Sequence, residues 1–148
     1  MTKYYKTIIA DDERKISREI EMQEISSKYG FSPKIISSNI TFNEETKKYV
    51  GLITMERINE MCIADKYGEN PADVSKIIWD QIRTILKILY NEEGIEYIDI
   101  TGYNFIEKKG KVYIIDFGDA IYTKKDREIN WFLCYFLGGH NGWNPDFK

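Results

Sequence analysis

Tyr97-Ile98-Asp99-Ile100-Thr101-Gly102-Tyr103-Asn104 runs directly into Phe105-Ile106, crosses the polar stretch Glu107-Lys108-Lys109-Gly110-Lys111, and continues through Val112 to Ile115 into Asp116-Phe117-Gly118. Two short apolar runs joined by a polar segment with Gly at the turn read as a β-hairpin. The loop holding Asp99 and Asn104 therefore precedes the hairpin, and the string holding Asp116 leaves it. The two strings belong together, and their polar side chains are expected to converge on one pocket.

Before this stretch, Asn70, Pro71 and Asp73 have the order of an N-cap, a first helical residue and an acidic first turn. Val74, Ile77, Ile78, Ile82, Ile85, Leu86 and Leu89 follow at helical spacing, and Glu92-Glu93-Gly94 ends the pattern. This predicts a long core-facing helix from Pro71 onward. Nearer the start, Tyr4 to Ile9 predicts a strand, and Asp11 and Asp12 cap a helix over about 13–29 that Gly30 and Pro33 close. Residues 34–40 and 49–55 predict two antiparallel strands around Asn43-Glu44-Glu45. A last helix is expected over 128–137, followed by an aromatic tail packed on the body. The order β, α, β, β, long α, hairpin, α gives an α+β fold in two layers or lobes.

With the helix, the Asp-x-x-x-x-Asn spacing, the hairpin and Asp-Phe-Gly in that order, the chain resembles the protein-kinase-like superfamily. The segment from Arg18-Glu19-Ile20 to Gly30-Phe31-Ser32-Pro33 resembles the atypical RIO kinases in particular. The resemblance implies one kinase-like domain over 1–148, with a reduced N-lobe sheet over about 1–58 and a truncated helical C-lobe over 59–148. It implies ATP and Mg²⁺ as ligands, with Asn104 and Asp116 on the metal, because hard Mg²⁺ takes oxygen ligands. Asp99 would be the catalytic base. Tyr5-Lys6-Thr7-Ile8 resembles the strand that carries the phosphate-binding lysine, so Lys6 takes that role, with Lys3 the alternative. Glu19 is its helix partner, with Glu21 and Glu24 as alternatives. Leu52 to Ile58 resembles the strand and hinge behind adenine, placing Met55 as gatekeeper and the backbone of Glu56 and Ile58 at the base.

The sequence also departs from that pattern. No Gly-x-Gly-x-x-Gly loop precedes Lys6, Tyr97 and Ile98 replace the usual His and Arg, and Thr101 stands where many kinases place a lysine. No Ala-Pro-Glu string follows Gly118, and the residues to Lys148 leave little for a substrate-docking lobe. Three functions fit these features. The first is a minimal phosphotransferase acting on Ser/Thr or another hydroxyl, the second a pseudokinase that presents a surface to a protein partner, and the third a RIO-like ATPase switch.

Composition narrows the setting. The 148 residues are 43% hydrophobic and 14% aromatic, enough for a substantial core, and the net charge of −3 is spread over many charges of both signs. Neither nucleic acid nor a membrane is an expected partner. Met1 to Tyr4 hold no apolar signal core, and no stretch is long and apolar enough to cross a bilayer. Cys62 and Cys134 lack metal or redox spacing and read as small buried hydrophobes. A cytoplasmic protein is expected, in host cytoplasm if viral, since small proteins of this kind occur in large DNA viruses. His140 reads as a packed loop residue. Trp131, Phe132, Tyr135 and Phe136 read as core, or as a partner surface if exposed.

Overall fold

The structure, a computed structural model, describes residues 2–147; Met1 and Lys148, the ends of the expected 1–148 domain, lie outside them. The chain divides into two compact units, Met1–Ile58 and Asn59–Lys148.

The first unit is a three-stranded antiparallel sheet with one helix on it. Strand β1 (Lys3–Ala10) and strand β2 (Ile35–Asn43) flank β3 (Lys48–Glu56) in the order β1-β3-β2. Helix α1 (Glu13–Lys28) starts where the Asp12 carboxylate accepts the Arg14 N–H at 2.9 Å. Its buried face meets Ala10, Ile53 and Met55 through Ile16 and Ile20. The approach at the middle of β3 is close: a Cβ on Gly51 would stand 2.5 Å from Ile16 Cγ2.

The second unit is built on α3 (Lys76–Glu93), whose Ile78, Trp79, Ile82, Ile85, Leu86 and Leu89 are buried. Each such side chain contributes roughly 2 kcal/mol. The helix starts later than its sequence suggests. Asn70 caps only a single 3-10 turn, Pro71–Asp73; Val74 is extended and buried, and Ser75 caps α3. The two caps are worth about 1 kcal/mol each, so capping does not choose between them. Packing does: the Trp79 indole N–H donates to the Pro71 carbonyl at 3.3 Å, an oxygen that a continuous helix would need for itself. Ile77, expected in the core, is 72% exposed, because at about 100° per residue it falls outside the arc that holds Ile78, Trp79, Ile82, Ile85, Leu86 and Leu89.

Ahead of α3 lies the short α2 (Ile63–Tyr67), and after it the two-residue strand β4 (Ile95–Glu96), which pairs with β7 (Ile121–Tyr122). The expected hairpin is present as β5 (Phe105–Lys108) and β6 (Lys111–Ile114). Its turn, Lys109-Gly110, has φ of 53° and 82°, as two-residue hairpins require. Helix α4 (Trp131–Leu137) begins at Asn130, whose side chain accepts two backbone N–H groups, and so starts later than 128. Phe132 and Phe136 are buried, whereas Trp131 and Tyr135 are 55% and 56% exposed, so only half of that aromatic face is core. Cys134 is exposed rather than buried, and Cys62 is half-buried. His140 stacks on Tyr135, with ring centroids 4.2 Å apart. The tail does pack: Trp143 lies 4.4 Å from Trp79, and Arg83 donates to the carbonyls of Phe136 and His140.

Glu107 joins α2 to the hairpin. Its carboxylate accepts the Tyr67 hydroxyl at 2.6 Å, the Gly110 N–H at 2.9 Å and Lys66 Nζ at 3.2 Å. These donors, the Tyr67 hydroxyl foremost, hold its pKa below the ordinary 4.5. The folded state thus binds fewer protons than the unfolded one, so the stabilisation is complete above the ordinary value and is lost as pH falls through the lowered one. Glu107→Gln should lower stability at pH 7 by about 1–3 kcal/mol and flatten the acid limb of a melting-temperature-against-pH curve. Gly51→Ala should lose about 1–3 kcal/mol through overpacking. In urea titrations its loss combined with Ile16→Ala should be smaller than the sum of the two single losses, and simple additivity would refute the close approach.

Candidate functional site

The loop from Asp99 to Asn104 is held mainly by its own backbone. The N–H groups of Ile100, Thr101 and Asn104 donate to the carbonyls of Ile98, Asp99 and Thr101, at 2.9, 3.1 and 3.2 Å. Gly102 is required here, because a Cβ at that position would lie 2.9 Å from the Ala64 Cβ. From the other side Asn144 clamps the loop, donating its Nδ2 to Ile98 O and its backbone N–H to Ile100 O, both at 2.8 Å. Asn144 is 1% exposed.

One contact closes the first string on itself, and two more bring the two strings together. Asn104 Nδ2 donates to Asp99 O at 2.9 Å, the Ile115 N–H donates to Asn104 O at 3.0 Å, and the buried Tyr97 hydroxyl donates to the Asp116 carbonyl. Asp116 Oδ1 accepts the Gly118 N–H at 2.8 Å, which fixes the carboxylate against its own turn. Asp99, half-buried, has its pKa raised, first by burial; Asn104 opposes the shift, and the negative charges of Asp119 and Asp116 add to it. Asp99, Asn104 and Asp116 therefore share one locality, and Asp119 joins them.

Asp119 had no sequence signal beyond its place after Gly118. Glu96 had none either, yet it is fully buried. It accepts the Thr123 hydroxyl at 2.6 Å, the Asn130 N–H at 3.0 Å and Arg127 at 3.2 Å, tying the segment after β7 to β4. Beside the loop, a cavity of about 340 Å³ is lined by Thr101, Tyr103, Trp143 and Phe147, among others.

In the first unit, Lys6 Nζ donates to Glu19 Oε2 at 2.7 Å. Glu19 lies on the buried face of α1, whereas Glu21 and Glu24 are exposed. Met55 is buried and its sulfur receives Gln23 Nε2 at 3.3 Å. The Glu56 N–H donates to Lys34 O at 2.9 Å, so that group is engaged within the unit and is not offered to a ligand. Ile58, the other hinge residue expected from sequence, is half-buried at the end of this unit.

The donor set in the second unit fits a hard divalent cation. Among the described residues no three His, Cys, Asp or Glu side chains form a metal-holding group. The pair in question is a carboxylate and an amide. With Asn104 Nδ2 given to Asp99, the amide oxygen is that side chain's ligand atom, and the Asp116 carboxylate, whose two oxygens offer about four lone-pair sites, is an oxygen ligand of the same hard kind. All-oxygen ligation with part of the shell left to water and phosphate suits Mg²⁺.

A family model, the RIO domain, matches residues 43–134, which carry β3, the Asp99–Asn104 loop, the hairpin and Asp116-Phe117-Gly118. The chain belongs to the RIO domain family. It is thus a member of the protein-kinase-like superfamily of atypical kinases, and its α+β architecture is the fold expected from the sequence. RIO domains are kinase- or ATPase-like and generally bind ATP with Mg²⁺. No curated protein matches the chain. Among the described residues no helix is long and apolar enough to cross a membrane.

Crowding of Asp99 by Asp116 and Asp119 has a measurable effect. The raised pKa means that the ionised carboxylate opposes folding above that value and that the penalty disappears below the ordinary 3.8. In chelator at pH 7, Asp99→Asn should melt a few degrees higher than the parent, on the order of 1 kcal/mol at roughly 2–4 °C each. The gain should vanish as pH approaches 4, and a lower melting temperature at pH 7 would contradict the crowding.

Proposed function

We propose that this RIO-family chain is a minimal ATP- and Mg²⁺-dependent phosphotransferase that delivers the γ-phosphate to a hydroxyl of Ser/Thr type. The observation that carries the reading is the shared locality of Asp99, Asn104 and Asp116, tied by the Tyr97–Asp116 and Asn104–Asp99 hydrogen bonds. When bound, Mg²⁺ would neutralise phosphate charge and orient the transferring group.

The protein's own residues then have distinct tasks. Asn104 and Asp116 hold the metal through oxygen atoms. Asp99 accepts the proton of the attacking hydroxyl; burial and its carboxylate neighbours raise its pKa, which strengthens it as a base. Lys6, oriented by Glu19, offers a cation to the phosphates. Phe117 and Tyr97, both 1% exposed with ring centroids 5.4 Å apart, keep the Asp116 turn rigid and exclude water behind it. Met55 lines the adenine side, where the carbonyl of Glu56 and the backbone of Ile58 reach the base.

A second reading is an ATPase switch. It is favoured by the buried Thr101, which supplies no charge to a transferring phosphoryl group where many kinases carry lysine.

Titration of the chain with ATP and Mg²⁺ should raise its melting temperature, by about 1.4 kcal/mol of stability at ten times the dissociation constant. Asp116→Ala should remove the metal-dependent part of that rise. Asp99→Ala should retain it and lower transfer to a peptide or small-molecule hydroxyl by 10²-fold or more. Release of ADP at the same rate with and without acceptor would favour the switch, and no shift at millimolar nucleotide would overturn both readings.

A further inference from the structure

The two outer strands of the first unit's sheet are built differently. On β2, a bulge interrupts the register between Ile35 and Ser37, and the residues opposite Thr54, Leu52, Val50 and Lys48 are Ser37, Asn39, Thr41 and Asn43. A bulge and a polar face are the ordinary means of keeping an edge strand from pairing further. On β1 neither is present. Eight residues pair with β3 without a register shift, contain no proline, and carry no other strand on their outer edge among the described residues. Away from α1, β1 shows Tyr5 at 71% exposure and Ile9 at 65%, beside Leu52 at 51%. Of its two lysines, Lys6 is turned to Glu19, and only Lys3 faces solvent on the open side.

We propose that this edge pairs with the same edge of a second copy of the chain, β1 antiparallel to β1 about a two-fold axis at Thr7. Side-chain alternation and charge select that register. Residues opposite each other in an antiparallel pair share a face, so the axis must pass through a residue position. Centred on Lys6, two ammonium groups would oppose each other; centred on Tyr5 or Ile8, fewer residues would pair. Centred on Thr7, the pairs are Thr7 with Thr7, Tyr5 with Ile9, and Lys3 with Asp11, each of the last two occurring twice. An aromatic–β-branched pair and an opposite-charge pair are favourable cross-strand combinations, and threonine opposite threonine is compatible. Asp11 already pairs with Lys48 of its own copy, through Oδ1, but its side chain is 82% exposed and its second carboxylate oxygen can meet Lys3 of the other copy. The same symmetry joins the exposed Tyr5, Ile9 and Leu52 of the two copies into one apolar stripe on a six-stranded sheet.

Cross-linking tests the register with the full chain. In a Cys62→Ser/Cys134→Ser background, Thr7→Cys places two cysteines directly opposite, with Cα atoms about 4.5–5.5 Å apart, within the range a disulfide spans. Under a mild added oxidant it should give a covalent dimer at micromolar concentration. Ile9→Cys alone should not, because its symmetry mate would lie about 13 Å away along the strand. An equimolar mixture of Tyr5→Cys and Ile9→Cys should cross-link. By sedimentation the parent chain should show twice the monomer mass, Lys3→Asp should weaken self-association roughly tenfold, and adding Asp11→Lys should restore it. A monomer at every concentration overturns the proposal, including the case in which the edge receives a strand from another protein. Ile9→Cys cross-linking as readily as Thr7→Cys overturns it as well.

Discussion

The hydrogen bond from the Tyr97 hydroxyl to the Asp116 carbonyl is the constraint on which the geometry of the second unit's candidate site depends. Tyr97 is buried between Phe105 and Phe117, with ring centroids at 5.7 and 5.4 Å. A phenol in that position needs a partner, because an unpaired buried hydroxyl costs about 1–3 kcal/mol. The partner available is the backbone of the residue whose carboxylate matters. One interaction thus satisfies the core and fixes the distance between the strand that leads to Asp99 and the turn that carries Asp116. Asn144, donating to carbonyls on both sides of Asp99, adds the second restraint. The packed tail is therefore part of the site's scaffold.

Carboxylates are treated in two opposite ways in this unit. Glu107 is surrounded by donors and its pKa falls; Asp99 has an amide and two other carboxylates near it, with burial, and its pKa rises. The first arrangement stabilises the fold at neutral pH, and the second opposes it. Groups that destabilise their own fold persist where they are needed for something else, which is why perturbed carboxylates gather at functional sites. The contrast between two acids of the same unit marks the Asp99 locality, not the Glu107 cluster, as the candidate site.

Much of this was legible in the sequence because it rested on local signals. The hairpin followed from Gly110 and two apolar runs, α1 from Asp12 and its Ile spacing, and the closeness of Asp99, Asn104 and Asp116 from their order around the hairpin. What could not be read depended on long-range contacts. Asn70 and Pro71 are good helix-start residues, yet the Trp79 indole takes the Pro71 carbonyl and the helix starts at Ser75. Ile77 is apolar but lies off the arc that the buried residues of α3 share, so it faces out. Glu96 gives no hint of burial until Thr123, Arg127 and Asn130 return to it from about thirty residues away. Asn144 and Asp119 likewise acquire their roles only from what folds beside them.

The Lys6–Glu19 pair follows from geometry set by a short connection. The strand ends at Ala10 and the helix begins at Glu13, with Asp12 as its cap, so little freedom remains in how α1 lies on β1. Alternation along the strand puts Lys6, Ile8 and Ala10 on the helix side. Helical spacing puts Ile16, Glu19, Ile20 and Gln23 on the buried face of α1. A charged pair on such a face gains little net stability, since desolvation offsets much of the Coulomb attraction, and an apolar pair of similar volume would serve the core as well. Stability alone therefore does not explain a lysine and a glutamate here. A lysine held in one orientation by a buried carboxylate, while its own side chain stays 21% exposed, is suited to meeting an anion. That is what supports the proposal that Lys6 meets the phosphates.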